Sequence, residues 1–432
     1  MSSAATTPVI VAGVRTPFLE TAGAYRNMMA HELGAAAMAG LLQRALWDPA
    51  HLDIVAMGIV VHEINTTNVA REAMLGAGVP STVPAFTTSM AGLSPNMAVT
   101  NVCDMIRAGR ISAAVAGGME TFSDMPIRLS ARMRRLLMQL RQARSTKARL
   151  KALAGLRPAD FTLDIPKSAD FTTGQTMGAS VEAMARRYPV TREEVDRFAL
   201  QSHQRALRSI ADGWHAADIV AVSTPDGASV SADNSPRADM TAAGLARLKP
   251  VFDRDRGIVT AASASRFTDG AAALLMTSQA RAESTGVAPL AIVRDSHFAG
   301  VADMHHEMLL GPAMAIPPLL QRHGLRMDDV AVFEWHEAFA AQILVNQRCL
   351  ASDEFARQRL GLDHAPGAVP EDRLNIHGGS LALGNPFAAT GARLLLNAAR
   401  RLQESGERYA VVSSCAGGGL GTAILLEHPG RA

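Results

Sequence analysis

Residues 86–99, FTTSMAGLSPNMAV, read as the end of a strand, a tight turn and the start of a helix. Phe86, Thr87 and Thr88 favour extended backbone. Gly92 is expected to take the turn, since a residue without Cβ enters left-handed geometry at no steric cost. Ser94 followed by Pro95 is expected to be an N-cap with proline at the first helical position. Such a turn presents one residue at the positive end of a helix, a favourable place for an anion or a nucleophile. The residue presented here has no side chain.

Working outward, the helix predicted over Pro95–Arg107 places Ala98, Val102, Met105 and Ile106 on one face, and Gly109 stops it. A buried strand follows over Ile111–Ala116. Val9–Val14, Ala291–Val293, Val330–Phe333 and Tyr409–Ser413 have the same short apolar character. Apolar strands alternating with amphipathic helices indicate an α/β protein with largely parallel, covered sheets. The two ends of the chain also resemble each other. After Gly92 come a helix ending in RAGR and the strand ISAAVAGG; after Gly384 come a helix ending in QESGER and the strand YAVVSSCAGGG. Two related halves are expected.

The chain has 432 residues, enough for two or three packed units, with 48% apolar and 19% charged residues. A net charge of +2 gives no reason to expect a nucleic-acid partner. Cys103, Cys349 and Cys415 form no CxxC and no even framework, which points to a reducing compartment. MSSAATT leads straight into PVIVAGV without a basic region or cleavage site, and no apolar run approaches the roughly eighteen residues of a membrane span. A cytoplasmic protein is the expectation. One segment breaks the pattern. Between Arg128 and Arg157 lie Arg132, Arg134, Arg135, Arg141, Arg144, Lys147, Arg149 and Lys151 with no acidic residue, interleaved with Leu136, Leu137, Leu140 and Leu150. Such a basic amphipathic insertion suits phosphates, an anionic membrane surface or an acidic partner, and is equally readable as a solvated helical face.

Three clusters carry candidate chemistry: WHEAFAAQ at 335–342, NIHGGSLALGNPFAATGAR at 375–393 and SSCAGGGLGTA at 413–423. His336 and Glu337 do not form HExxH, because position 340 is alanine, so no metal is expected. The glycines 417–419 lack the setting of a phosphate loop. After a buried strand they let backbone N–H groups approach a substrate oxygen, and Cys415 beside them is a candidate proton donor or acceptor, or a small buried apolar group.

Together these clusters resemble the thiolase family. SSCAGGGLGTA is similar to the closing motif in which a cysteine acts as acid/base and glycine amides line an oxyanion hole. WHEAF resembles the asparagine-containing loop in its histidine version, and GGSLALGNPFAATGAR resembles the GHP motif. VRTPF, AGGMETFSDMPI, TMGASVEAMA and KPVFDRDRGIVTAASASRFTDGAA match further landmarks. The resemblance runs from about residue 8 to 427 and is nearest to the β-subunit thiolases of fatty-acid oxidation complexes. It implies two βαβαβαββ halves in a five-layered αβαβα core plus a loop domain. The boundaries expected are 1–121 and 251–285 for the N-terminal half, 122–250 for the loop domain and 286–432 for the C-terminal half. It also implies a coenzyme A thioester as substrate with no covalently bound cofactor, and a homodimer or higher homo-oligomer. Arg128–Arg157 is then a candidate surface for a hydratase/dehydrogenase-type α-subunit or an anionic membrane.

The same resemblance implies the site. His336, Asn385 and Cys415 are the catalytic candidates, the amides of Gly92 and Gly417 the oxyanion hole, and Met177, Ser263 and Phe339 the substrate contacts. Two positions depart from the family. Its nucleophilic cysteine falls on Gly92, and the GHP histidine that activates it falls on Asn385. Cys103 is too far along the same helix to substitute, and Ser89 and Ser94, which flank the gap, do not occupy the turn position. Ser263 and Arg266 stand where asparagine and proline are usual. Loss of a nucleophile from a tuned site costs on the order of 10⁶ in rate, roughly 8 kcal/mol. The pair His336 and Asn385 is similar in order to that of ketoacyl synthases that initiate fatty-acid synthesis, where it polarises a thioester carbonyl. Three readings follow: an acyltransferase acting on acyl-CoA or 3-ketoacyl-CoA thioesters without the acyl-cysteine, a decarboxylase of malonyl or 3-oxoacyl thioesters, or an inactive CoA-binding scaffold.

Overall fold

The computed structural model describes residues 4–166 and 169–431. Nine strands form the frame: β1 (Pro8–Arg15), β2 (Ile54–Gly58), β3 (Ala85–Thr88), β4 (Ala113–Glu120), β5 (Thr268–Ser278), β6 (Ala291–Gly300), β7 (Val332–Trp335), β8 (Tyr409–Ala416) and β9 (Leu420–Glu427). Their order is β7-β8-β9-β6-β1-β5-β4-β2-β3, with a two-residue strand at Leu19–Glu20 beside β5. The order is two copies of one pattern. In the N-terminal half β1 and β4 pair antiparallel with β5, and β4, β2 and β3 run parallel. In the C-terminal half β6 and β8 pair antiparallel with β9, β7 runs parallel to β8, and Leu374 bridges Phe333 of β7 in parallel at the position equivalent to β3. The halves join through two residue pairs, Val9 with Ile292 and Ile10 with Ala291.

Side-chain alternation explains the layers, because successive residues of a strand face opposite sides. On β4, Ala113 and Val115 face one core while Ala114 and Ala116 face another. The first core holds α1 (Ala30–Arg44) and α2 (Val69–Gly76) on the outer side of the N-terminal half-sheet. The second holds α3 (Ser94–Arg107) and the last helix (Phe387–Ser405) between the half-sheets, with Ile10, Leu274 and Met276 on one side and Val332, Val412 and Ile424 on the other. The third covers the outer side of the C-terminal half-sheet. Five layers, αβαβα, result. Gly118 is required for this arrangement, since a Cβ there would fall 1.7 Å from the Ala388 carbonyl oxygen. Its absence lets the start of the last helix rest on β4.

Between β4 and β5 the chain builds α4 (Ala131–Gln142), α5 (Thr146–Leu153), α6 (Met177–Arg187) and α7 (Arg192–Ala211). Ser130 caps α4 by accepting from the Met133 N–H. Of the α4 side chains only Met133 and Leu136 are buried, and none of α5. Leu137, Met138, Leu150, Leu153, Phe161 and Leu163 are exposed around them. The remaining helices used below are α8 (Gly311–Arg322), α9 (Ala340–Leu350), α10 (Ser380–Leu383) and α11, the last helix. No helix among the described residues is long and apolar enough to cross a membrane.

Candidate active site

The site gathers where β3, β7 and β8 end. The turn after β3 differs in detail from expectation. Ala91, not Gly92, takes the left-handed conformation, with φ 47°. Ser94 is the first helical residue rather than the cap, Leu93 occupies the cap position without a side-chain bond, and Pro95 is second. The Ser94 hydroxyl has been drawn into the turn: it accepts from the Met90 N–H at 2.8 Å and lies 2.6 Å from the Ala91 carbonyl oxygen, to which it donates. It is therefore committed to backbone. Ser89 is exposed and meets His62 Nε2 at 3.2 Å. Cys103 is buried in α3. Gly92 needs neither special dihedrals nor extra room, because a Cβ there would meet Ala416 Cβ at 3.6 Å and the Cys415 carbonyl oxygen at 3.8 Å, both ordinary contacts.

His336 follows β7, and its N–H donates to the Ser413 carbonyl of β8 at 2.8 Å. Its ring is buried. Nδ1 lies 3.0 Å from Ser380 Oγ, and Nε2 lies 3.4 Å from Asn385 Nδ2. Burial, reinforced by the nearby Arg393 guanidinium, pushes the imidazole down to about 3, so it is neutral at physiological pH. Asn385 sits between α10 and α11. Its Oδ1 accepts from Thr390 Oγ1 at 2.8 Å, while Nδ2 faces His336 and Ser265 Oγ, the latter at 3.3 Å. The Asn385 N–H donates to the Arg266 carbonyl. Glu337 turns the other way, into a buried socket. Its carboxylate accepts from Ser202 Oγ at 2.6 Å, Asn375 Nδ2 at 2.7 Å and the Leu381 N–H at 3.3 Å. Burial raises its carboxyl, and these donors oppose the rise. Asn375 also brackets Trp335, accepting from its N–H and donating to its carbonyl. Glu337 and Asn375 thus fix the backbone that carries His336.

Cys415 is a buried free thiol near the end of β8, pushed up to about 12 by burial. Gly417 follows two residues later, and a Cβ on it would meet Met177 Sδ at 3.4 Å. Among the described residues neither the Gly92 nor the Gly417 N–H has a protein acceptor. Phe339 joins Ala264 through a backbone bridge and packs edge-on against Phe252. Ser263 is fully buried, with its hydroxyl turned to Thr260 and its carbonyl accepting from the Ala340 N–H. His336 and Asn385 are therefore in direct contact, Gly92 abuts Cys415, Met177 abuts Gly417, and Ser263 forms wall rather than presenting its hydroxyl. Sequence reading missed Ser265, Thr390, Ser380 and Arg393. The signal for Arg393 was an arginine inside the apolar run of α11, where charge is tolerated only with a partner.

Such a site offers a neutral imidazole beside a side-chain amide, two backbone N–H groups, a protonated thiol, and a turn position without a side chain. It suits stabilisation of negative charge on oxygen. Comparison with known proteins agrees. The thiolase N-terminal domain profile matches residues 8–280 and the thiolase C-terminal domain profile residues 287–428. The mitochondrial trifunctional enzyme subunit beta of Rattus norvegicus is 42% identical over 419 residues, covering 97% of this chain and 88% of the relative. A 3-ketoacyl-CoA thiolase of Serratia proteamaculans (strain 568) is 41% identical over 97% of this chain and 96% of its own. The crystal structure of the Bacillus anthracis acetyl-CoA acetyltransferase superposes with a TM-score of 0.84 at 31% identity, over 99% of this chain and all of that one.

Proposed function

This chain belongs to the thiolase family, and from that premise we propose that it is an acyl-CoA acyltransferase working without an acyl-cysteine at position 92. Its substrates are acyl-CoA or 3-ketoacyl-CoA thioesters, and its chemistry is Claisen-type bond formation or cleavage, or acyl transfer. The observation that carries the reading is the contact between His336 and Asn385 beside a turn that has room for a side chain and carries none. Thiolysis through a covalent intermediate needs a nucleophile and a base. Here the two positions hold a glycine and an amide, while the donors that stabilise an oxyanion or enolate are kept. His336 and Asn385 polarise the thioester carbonyl, the amides of Gly92 and Gly417 hold a second oxygen, and Cys415 delivers or removes a proton at carbon. Met177, Ser263 and Phe339 shape the acyl and pantetheine path.

The retained donors favour turnover over an inactive scaffold. The absence of any acyl acceptor keeps one second chemistry in view, decarboxylation of malonyl or 3-oxoacyl thioesters, which needs carbonyl polarisation but no nucleophile. Incubation with a panel of acyl-, 3-ketoacyl- and malonyl-CoA thioesters, followed by product analysis and intact protein mass, separates these. Turnover without an adduct is the expected result. An adduct abolished in Cys415→Ala would move the nucleophile to that thiol, and CoA binding without turnover of any thioester would leave the scaffold.

The same reading includes the division at 1–121, 122–250, 251–285 and 286–432, a cytoplasmic location and a homodimer or higher homo-oligomer. It also assigns Arg128–Arg157, which holds α4 and α5, to a hydratase/dehydrogenase-type α-subunit or an anionic membrane surface. The exposed Leu137, Met138, Leu150 and Leu153 lie among Arg135, Arg141, Arg144, Lys147, Arg149 and Lys151, none of which has an acidic partner among the described residues. Binding to anionic liposomes that falls as salt rises is expected, and salt-independent behaviour in sedimentation with no liposome binding would remove this part.

A further inference from the structure

His336 is held from behind by a buried hydroxyl. Ser380 Oγ lies 3.0 Å from His336 Nδ1 and accepts from Arg393 Nη2 at 3.1 Å. A guanidinium only donates, so Arg393 occupies an oxygen lone pair and leaves the hydroxyl hydrogen to be placed. His336 Nδ1 is the other hydrogen-bond partner of this oxygen among the described residues. If Nδ1 carried a proton and donated, a fully buried hydroxyl hydrogen would have no acceptor, an arrangement folded proteins avoid. If the hydroxyl donates to Nδ1, all three groups are satisfied, and the ring proton must reside on Nε2.

The partner amide is oriented by a separate contact. Thr390 Oγ1 donates to Asn385 Oδ1, which turns Nδ2 toward His336 Nε2 at 3.4 Å. One Nδ2 hydrogen meets Ser265 Oγ at 3.3 Å; the other lies beside the Nε2–H, the two cannot bond to each other, and both are left for a third atom that accepts from each. We propose that Ser380 and Arg393 are positioning residues that lock His336 in its Nε2–H tautomer, making it, with Asn385 Nδ2, a two-donor seat for one oxygen that gains negative charge. Given the acyltransferase reading, that oxygen is the thioester carbonyl oxygen on its way to an enolate or a tetrahedral oxyanion. The proton stays on His336 throughout. It acts as a donor, not as a base, and the positive charge of Arg393 beneath the ring opposes any second proton.

The test reads the tautomer directly. In protein labelled with ¹⁵N-histidine, the His336 resonances are those lost in His336→Gln, and they are expected to show a protonated Nε2 and a bare Nδ1 at neutral pH. A wild-type spectrum with the proton on Nδ1 overturns the proposal without any variant. Ser380→Ala is expected to populate both tautomers and to lower kcat on the order of 10- to 100-fold, the usual scale for losing an orienting partner, with KM little changed. Ser380→Thr keeps the hydroxyl and is expected to restore both readouts. An unchanged tautomer in a folded Ser380→Ala overturns the lock, whatever its activity. Wild-type protein that turns over no thioester yet shows the expected tautomer defeats the acyltransferase reading and leaves the lock standing.

Discussion

The turn at Gly92 and the turn at Asn385 begin equivalent helices, α3 and α11, which lie together in the middle layer, yet they have been treated differently. At Asn385 the side chain is integrated. Thr390 orients its amide, Ser265 stands beside it, and the backbone is tied to Arg266. At Gly92 nothing has been built. No neighbour has moved in to fill the place of a Cβ, no replacement hydroxyl points there, and Ser94 is occupied with the turn itself. One position carries an oriented side chain and the other has open room. On the reading proposed above, that contrast gives Asn385 a donor's task and leaves Gly92 without covalent attachment.

The strongest way to break this contrast is to refill the empty position. Gly92→Cys is expected to fold with a stability change within about 0.5 kcal/mol, since no contact is overfilled, and to gain an acyl adduct visible by intact mass. Adding Asn385→His is expected to raise thiolysis of a 3-ketoacyl-CoA by several orders of magnitude, bounded by roughly 10⁶. If neither variant acquires an adduct, Gly92 does not mark a nucleophile position. Next in size is loss of a donor. His336→Ala or Asn385→Ala should each lower turnover on the order of 10²- to 10³-fold, about 3–4 kcal/mol of barrier. An Asn385→Ala variant with full activity would return that residue to drift.

Glu337 sharpens the distinction between holding and reacting. Its removal by Glu337→Ala leaves Ser202, Asn375 and the Leu381 N–H without their acceptor, and should cost about 3 kcal/mol in urea denaturation. The last effect concerns pH. The folded imidazole of His336 titrates near 3 and the unfolded one near its ordinary 6.5. Between these values the unfolded chain binds the extra proton. The stabilisation is therefore complete above pH 6.5 and is lost as pH falls toward 3. His336→Gln should flatten the acid limb of the stability profile by at most one proton, and an unchanged slope would mean that the folded ring takes up its proton as readily as the unfolded one.

Much of this was readable in advance because it rests on local chemistry. Short apolar strands, glycine turns and repeated helix endings gave the two halves, and the three motif clusters gave His336, Asn385 and Cys415. The turn was read with the wrong residue in left-handed geometry because glycine propensity is a local preference. The tertiary fit of Ser94 into Met90 and Ala91 decides it instead. The roles of Ser380 and Arg393 were not legible, although Arg393 stands out as a charge within an apolar run. Their part depends on a contact between α10, α11 and the segment after β7, far apart in the chain, and nothing in GGS or GAR announces which ring lies above them. Nor does position in the chain tell which way the Ser263 hydroxyl turns, which the fold directs to Thr260.

Ala91 bears on how long this arrangement can last. A left-handed alanine costs on the order of 1–2 kcal/mol that a glycine would not. The neighbouring position is already glycine, so a shift of the strained conformation by one residue would relieve it. The turn has nonetheless kept its tension at residue 91. The left-handed residue sets the direction in which the Gly92 amide points, so under the proposed reading the working part of this turn is its backbone.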